Sequence, residues 1–258
     1  MAKPVPKKAS EIQLMREAGS AACRVLRQAA KLVEPGMTTR EIDRKVGDLI
    51  RAEGATSAFL GYRGFPMECC LSVNEAVIHG IGNHRRLLFG DLLKLDVGVR
   101  HKGYVGDVAM TVAVGGCSAR NQDLMDVTIR SLHAGIAAAR PGARVVDIGR
   151  AVEQVIRAGG YGVVREFCGH GVGKSVHEEP QVPNYADRSA GGKLVLVPGL
   201  TFAIEPMVTI GSPAVRLLDD NWTVVTVDGQ CSAHFEHTIL ITETGAEILT
   251  KDGETPLY

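Results

Sequence analysis

The sequence predicts an α+β fold in which a unit of two helices followed by strands occurs twice around a largely antiparallel sheet. The main observation is an internal repeat. Residues 35–54, PGMTTREIDRKVGDLIRAEG, align without gaps to residues 141–160, PGARVVDIGRAVEQVIRAGG, with nine of twenty positions identical at an offset of 106. A second pair, FGDLLKLDVGV at 89–99 and PGLTFAIEPMV at 198–208, aligns at an offset of 109. A duplicated unit predicts two half-domains related by a pseudo-two-fold axis.

Two helices open each half. Apolar residues recur with helical spacing in the first helix, and Pro35 lies just beyond its predicted end. Thr38 and Glu41 have the spacing of a capping box, which predicts the start of the second helix. The later half repeats the pattern, with Pro141 between its two helices. The predicted helices cover residues 10–33, 38–54, 122–139 and 146–158.

Strand-like segments follow each helix pair. They are predicted at about 87–99 and 104–115 in the first half, and at 193–210, 222–228, 233–242 and 246–250 in the second. Helices that precede hairpin-connected strands are typical of an α+β domain with its helices on one face of the sheet. No linker rich in Pro, Ser or Gly separates the halves, so we expect one domain, residues 10–258, after a flexible tail at residues 1–9.

The composition argues against several classes of function. The 258 residues are 45% hydrophobic, as expected of a globular protein with a sizeable core. The 29 basic and 29 acidic residues balance, so neither a specific nucleic acid partner nor a membrane is predicted. The chain has no run of 18 apolar residues and no signal pattern. The six scattered cysteines are expected to be free thiols, which favours a cytoplasmic location.

Two acids occupy the first predicted hairpin, KLDVGVRHKGYVGD at residues 94–107. If the hairpin turns at His101–Lys102, Asp96 lies directly opposite Asp107, with Cβ atoms about 5 Å apart. Two unneutralised carboxylates at that distance repel each other, and one is forced to take a proton. A single acid in a strand usually faces solvent. Two on one face of an apolar hairpin favour a metal site or acid–base chemistry.

The second half carries two further acids within apolar strands. Glu205 lies in LTFAIEPMV and aligns with Asp96 in the repeat, while Glu236 lies in AHFEHTILIT. Solvent-facing positions at strand ends are the alternative for both. That alternative is disfavoured, because four such acids occur in four strands and two of them are related by the repeat.

Three histidines extend the candidate site. His170 and His177 lie in the glycine-rich segment CGHGVGKSVHEEP, residues 168–180. Glycines allow the backbone to bring an imidazole close to a ligand. With acids already gathered, the pair is interpreted as a metal ligand and a catalytic partner. His79, in VNEAVIHGIGN, could equally be a capping or turn residue.

The acids and His170 match a known set of metal ligands. The ligand set of the pita-bread metallopeptidases is matched in order and local context by Asp96, Asp107, His170, Glu205 and Glu236. The segments GYRGFP, SVNEAVIHG, LDVGV, GYVGDVAMT, GHGVGKSVHEEP, FAIEPM and FEHT resemble those of type I methionine aminopeptidases, from about residue 10 to residue 248. Only 27 residues separate His177 from Glu205, too few for the insertion of type II enzymes. The short segment before the first helix resembles the minimal bacterial form.

This resemblance implies a pita-bread fold and a hydrolase that removes the N-terminal methionine from peptides and nascent proteins with a small second residue. It also implies two divalent ions, of cobalt, manganese, iron or zinc. Asp96 would chelate one ion, Asp107 and Glu236 would bridge both, and His170 and Glu205 would complete the other shell.

Catalytic roles follow from the same resemblance. A water activated between the ions would attack the first peptide carbonyl, and Glu205 would carry its proton. His177 would donate a hydrogen bond to the developing oxyanion, and His79 would contact the scissile amide nitrogen. Both histidines would therefore bind substrate.

The methionine side chain requires an apolar pocket, in which aromatic rings suit the thioether sulfur. The positions that match the family's pocket are Tyr62, Phe65, Cys70, Val176 and Trp222. Position 65 is often tyrosine and position 176 often phenylalanine in the family, and Phe59 stands where a small or thiol residue is common. Ordinary packing is the alternative for Tyr62 and Trp222.

Two other functions remain as alternatives. Prolidase and aminopeptidase P share the ligand set but carry an additional N-terminal domain. A non-catalytic pita-bread binding protein would lack some of the ligands. The expected partners are peptides with N-terminal methionine and nascent chains, and we further expect a ribosome contact and a monomeric protein.

Overall fold

A computed structural model describes residues 4–189, 191–253 and 257–258. These described residues contain two pairs of α-helices, and each observed end lies within three residues of the predicted one. The helices are α1 Ala9–Lys31, α2 Thr39–Ala52, α3 Ala119–Ala138 and α4 Val145–Ala158. At the start of α2, the Thr38 hydroxyl accepts from the Glu41 N–H, and the Glu41 carboxylate accepts from the Thr38 N–H at 2.7 Å. The predicted capping box is therefore present.

The strands are short except in the central hairpin. They are β1 Thr56–Ser57, β2 Cys70–Val73, β3 Ala76–Ile78, β4 Leu92–His101, β5 Tyr104–Ala113, β6 Gly162–Val163, β7 Gly169–Gly171, β8 Glu178–Val182, β9 Thr201–Ile204, β10 Met207–Thr209, β11 Val215–Leu217, β12 Val224–Thr226, β13 Ser232–His234, β14 Glu236–Ile241 and β15 Ala246–Ile248. The long strand predicted at 193–210 is instead divided into β9 and β10. Strand β9 begins only after Gly199, whose φ of 90° is typical of a turn. Pro206 separates β9 from β10, because its nitrogen carries no hydrogen to donate to the neighbouring strand.

The main sheet is antiparallel, with strand order β1-β4-β5-β14-β9-β7-β8; β2 pairs with β4, and β15 pairs with β14. Two small three-stranded sheets, β13-β10-β6 and β11-β12-β3, flank it. One apolar core joins α1 and α2 to β4, and another joins α3 and α4 to β9 and β14. With β5 and β14 adjacent at the centre, the two helix–helix–strand units are related as the repeat predicts, and the α+β class is confirmed.

The hairpin of β4 and β5 turns one residue later than the predicted His101–Lys102. The turn residues are Lys102–Gly103, with φ values of 49° and 84°, and His101 pairs with Tyr104. Two-residue turns with positive φ at both central positions match the right-handed twist of the strands, which explains the choice.

The later turn changes the partners of the hairpin acids. Asp96 lies opposite Ala109, and Asp107 lies opposite Gly98, so the predicted direct pairing of the two acids is wrong. The register differs by two positions, which leaves every side chain on its predicted face. Asp96 and Asp107 are thus diagonal neighbours on one face of the hairpin, still within reach of each other.

The segment before α1 crosses to the second half of the molecule. Residues 1–3 of the predicted flexible tail lie outside the described residues. The Lys7 N–H donates to the Gly199 carbonyl at 2.7 Å, and the Lys7 ammonium binds the Glu178 carboxylate at 2.6 Å. Pro6 and Lys7 thus pack against the turn that precedes β9.

No helix in the described part of the chain combines the length and the apolar character needed to cross a bilayer.

Candidate active site

All seven residues predicted to bind metal or to act in catalysis line one cavity of about 690 Å³. The acids reach it from the central strands, and the histidines reach it from β7 and the loops. These residues are His79, Asp96, Asp107, His170, His177, Glu205 and Glu236.

The sheet gathers the four acids around a single alanine. Ala109 of β5 lies opposite Asp96 of β4 on one side and opposite Glu236 of β14 on the other. Asp107 is two residues away on the same strand, and therefore on the same face. The pairing of β14 with β9 continues to the end of β9, so the next residue, Glu205, comes beside Glu236. Carboxylates from both half-domains thus meet on one face.

These carboxylates are buried without cationic side chains to neutralise them. Among the described residues, none of the four forms an ion pair with Lys or Arg, and one buried oxygen each of Asp96, Asp107 and Glu236 has no hydrogen-bond partner. Burial, followed by the charge of neighbouring acids, raises the pKa of Asp107 and Glu236 well above the usual range. Burial also raises the pKa of Asp96 to about 7 and that of Glu205 to about 8. A bound cation would remove this cost.

His170 presents its ring toward the acids. Its Nε2 lies 3.4 Å from Oε1 of Glu205 and 3.9 Å from Oδ2 of Asp107. Its Nδ1 lies 3.1 Å from the Gly171 carbonyl oxygen, to which it donates in the tautomer that leaves Nε2 free. Burial, followed by the neighbouring His177, lowers the pKa of His170 to about 3, so the ring is neutral, as a metal ligand must be.

Three side chains form a group compact enough for one ion. Asp107, His170 and Glu236 each offer a ligand atom, and these atoms lie within 4.8 Å of one another. Carboxylate oxygens with a neutral imidazole suit hard or borderline divalent cations. Asp96 and Glu205 stand beside this group and supply further carboxylate oxygens. The donor set, its burial and its unpartnered oxygens therefore fit divalent metal ions.

His177 and His79 also line the cavity, and the His177 ring lies against that of His170 with centroids 4.1 Å apart. The His177 ring stacks on Tyr62 with centroids 5.2 Å apart, and its Nδ1 lies 3.0 Å from the Tyr62 hydroxyl. His79 has a φ of 57° and contacts Phe167 and Trp222 edge-on, at 5.7 Å and 6.3 Å between centroids. Burial lowers the pKa of each histidine to about 4, so both rings are neutral near pH 7.

Four of the five residues predicted for the methionine pocket line the cavity, and they are Tyr62, Phe65, Cys70 and Trp222. Val176 is buried in the same apolar cluster but is not among the lining residues. Phe59 also lines the cavity, and its ring occupies the space beside Gly98, where a Cβ atom would collide with it. The pocket wall is therefore apolar and largely aromatic.

A fourth histidine, His234, lies beside Glu205 and was not predicted from the sequence. The Nε2 of His234 lies 3.5 Å from Oε2 of Glu205, so that this carboxylate is flanked by His234 and His170. Within the described residues, neither ring nitrogen of His234 has a hydrogen-bond partner. Its position two residues before Glu236, on the same face of an extended segment, was a usable signal. The other lining residues that were not predicted are Arg63, Ile78, Glu166, Phe167, Cys168, Glu178, Glu179 and Gln181.

Comparisons with known proteins agree with this geometry. The model of metallopeptidase family M24 matches residues 13–243. Methionine aminopeptidase 1 of Bacillus subtilis (strain 168) is 45% identical over 241 residues, which cover 93% of this chain and 96% of the relative. The crystal structure of a methionine aminopeptidase from Thermotoga maritima matches with a TM-score of 0.93 and 42% identity, covering 96% of this chain and 100% of that chain. A prolidase from Pyrococcus furiosus shares the fold, with a TM-score of 0.76 at 24% identity, and 66% of its chain is covered.

Proposed function

Because the chain belongs to metallopeptidase family M24, we propose that it is a methionine aminopeptidase that uses two divalent metal ions to remove N-terminal methionine before a small second residue. The observation that carries the proposal is the compact group of Asp107, His170 and Glu236 beside an aromatic pocket in the same cavity. The similarity to enzymes named methionine aminopeptidase over nearly the whole chain supports the same substrate.

Two ions would be held by five side chains, namely Asp107, His170 and Glu236 of the compact group, with Asp96 and Glu205 beside it. When bound, two such ions lower the pKa of a shared water and polarise the peptide carbonyl. Cobalt, manganese, iron and zinc all accept carboxylate and imidazole donors, so the donor set does not select among them.

The protein's own groups would move the protons. Glu205 lies between two imidazoles, where its carboxylate would accept a proton from water and pass it on. With the Tyr62 hydroxyl donating to Nδ1 of His177, Nε2 of that ring carries the proton and donates to the oxygen of the tetrahedral intermediate. His79, which also lines the cavity, would contact the amide nitrogen as the amine leaves.

The pocket would select methionine by shape. Phe65 and Trp222 meet edge-to-face at 5.0 Å between centroids, which gives the methionine thioether an aromatic wall. The Cys70 thiol lies opposite Asp96 in the pairing of β2 with β4, so the pocket adjoins the metal ligands directly. A free α-amine would then reach the Asp96 side of the centre, which accounts for cleavage after the first residue only.

The substrates we propose are nascent chains and peptides with N-terminal methionine, met at the ribosome by a monomeric enzyme in the cytoplasm. All six cysteines are free thiols, which supports a reducing compartment.

Metal analysis of protein purified without added metal, followed by hydrolysis of Met-Ala-Ser and of Ala-Pro, tests the proposal. We expect about two ions per chain and release of methionine. We expect His170→Ala and Asp96→Asn to abolish that release, while Asp147→Asn, at an exposed acid on α4, leaves it unchanged. Cleavage of Ala-Pro alone would indicate a prolidase-like enzyme. Metal-free, inactive protein would indicate a binding protein, and a fully active His170→Ala variant would refute the ligand assignment.

A further inference from the structure

The two half-domains meet at a seam between β5 and the segment 234–238, where side-chain hydroxyls bond to backbone groups. The Thr238 hydroxyl accepts from the Asp107 N–H at 3.2 Å and donates to the Asp107 carbonyl at 2.7 Å. The Thr111 hydroxyl likewise accepts from the His234 N–H and donates to the His234 carbonyl, both at 2.9 Å. In the register of the two strands, each threonine lies opposite the residue that it binds. Each of these hydroxyls thus satisfies both backbone groups of the opposite residue.

The central pair of the seam has no hydroxyl of its own. Between these two threonine contacts, Ala109 lies opposite Glu236. The hydroxyl there comes from Tyr258, which is 149 residues away from Ala109 in the sequence. It accepts from the Glu236 N–H at 3.1 Å and lies 2.6 Å from the Glu236 carbonyl oxygen and 3.0 Å from the Ala109 carbonyl oxygen.

The Tyr258 ring is held by its neighbours on the side of the sheet away from the acids. It stacks on His237 at 4.8 Å and meets Phe235 edge-on at 4.9 Å between centroids. These two residues flank Glu236, so their side chains point to the opposite face from its carboxylate.

We propose that Tyr258 is a positioning residue for the metal centre. Its hydroxyl fixes the spacing of Ala109 and Glu236 across the seam, and with it the reach of the Glu236 carboxylate toward Asp107 and His170. The proposal rests on the proposed function, because it takes Glu236 as a metal ligand. Partners of this kind, which orient a ligand without touching the ion, typically change metal affinity when removed.

The test uses three variants of the full chain. Tyr258→Phe removes one oxygen and keeps the ring. Tyr161→Phe is the matched control, because it removes a hydroxyl that bonds an exposed acid, Asp123, at 2.7 Å, and neither residue lines the cavity. The double variant Tyr258→Phe/Ala109→Ser offers Glu236 a new hydroxyl from the position two residues before Thr111, on the same face of β5.

The readouts are calorimetric titration of metal-stripped protein with Mn²⁺, thermal unfolding of the same protein without metal, and kcat and KM for Met-Ala-Ser. We expect Tyr258→Phe to weaken Mn²⁺ binding about tenfold and to lower kcat with little change in KM. We expect Tyr161→Phe to match the parent and the double variant to recover most of the lost affinity.

Mn²⁺ affinity of Tyr258→Phe within twofold of the parent would overturn the proposal while leaving the proposed function intact. A parent protein that neither binds Mn²⁺ nor releases methionine would instead refute the function itself. If Tyr258→Phe does not fold, the double variant decides: recovery of folded, metal-binding protein supports the role of the hydroxyl, and failure to recover overturns it.

Discussion

Metal binding at the four buried acids should depend strongly on pH. Before an ion binds, the pKa of Asp96 is about 7 and that of Glu205 is about 8, because burial disfavours their charged forms. Each acid is therefore mostly protonated below its pKa. A cation can bind only as these protons leave, so affinity rises as pH rises through this range. The neighbouring histidines do not contribute, since His170, with a pKa of about 3, is already neutral throughout.

The size of the effect follows from the two values. At about pH 6.5 Asp96 is mostly protonated and Glu205 almost wholly so, whereas at about pH 8 Asp96 is ionised and Glu205 is half ionised. Moving between these conditions removes a deprotonation cost of roughly 2–3 kcal/mol, or about 60-fold in overall affinity, from these two acids. The protons that they release on metal binding fall from about two to fewer than one. The raised pKa values of Asp107 and Glu236 add to the effect in the same direction.

The assay is calorimetric titration of metal-stripped protein with Mn²⁺ at the two pH values. Repeating each titration in buffers of different ionisation enthalpy counts the protons. The Asp147→Asn variant, at an exposed acid whose pKa is lowered by hydrogen bonds to Arg144 and Arg150, should behave as the parent does. Affinity that stays constant or falls from pH 6.5 to pH 8, with no proton release, would refute the reasoning.

Three further outcomes are expected. His177→Ala should lower kcat roughly 100-fold to 1,000-fold, as loss of an oxyanion donor does, while calorimetry shows parental Mn²⁺ affinity; loss of metal with loss of turnover would make it a ligand instead. Gly106→Ala should lower the free energy of unfolding by about 1–3 kcal/mol in urea titrations, because its Cβ would meet the Ala18 backbone of α1 at 2.5 Å, and parental stability would contradict that packing. Trp222→Ala should reduce kcat/KM for Met-Ala-Ser roughly tenfold, mainly through KM, because the wall shared with Phe65 is lost; unchanged KM would place the methionine elsewhere.

The repeat and the local motifs predicted most of the architecture. Helix ends were accurate because caps and prolines act within a few residues of the chain. The α+β class, the pita-bread fold and membership of the methionine aminopeptidase family are confirmed by the strand order and by the comparisons. The residues named from the family's motifs line one cavity, except for Val176, which is buried in the neighbouring apolar cluster.

The hairpin shows where local reasoning reaches its limit. Alternation along the strands correctly placed Asp96 and Asp107 on one face, because faces survive a two-residue shift of register. The register itself depended on which pair of residues formed the turn, and the positive φ of Lys102 could not be read from a motif. Gly98, placed opposite Asp107, then leaves the space that the Phe59 ring fills.

Contacts between distant segments could not be predicted in this way. No motif predicts a role for Tyr258, which arises only when β5 and β14 come together. The Lys7 contact with Glu178 likewise joins residues 171 positions apart. Such pairings depend on the packing of whole elements, which a single sequence specifies only through the complete fold.

The strand order has a consequence for how the molecule could be divided. Asp107 comes from the first half-domain, whereas His170 and Glu236 come from the second, so neither half contains the compact ligand group by itself. An ion held by these three residues would act as a cross-link between the halves. A chain cut at Gly115–Gly116, in the connection from β5 to α3, should therefore yield fragments whose reassembly is driven by divalent metal.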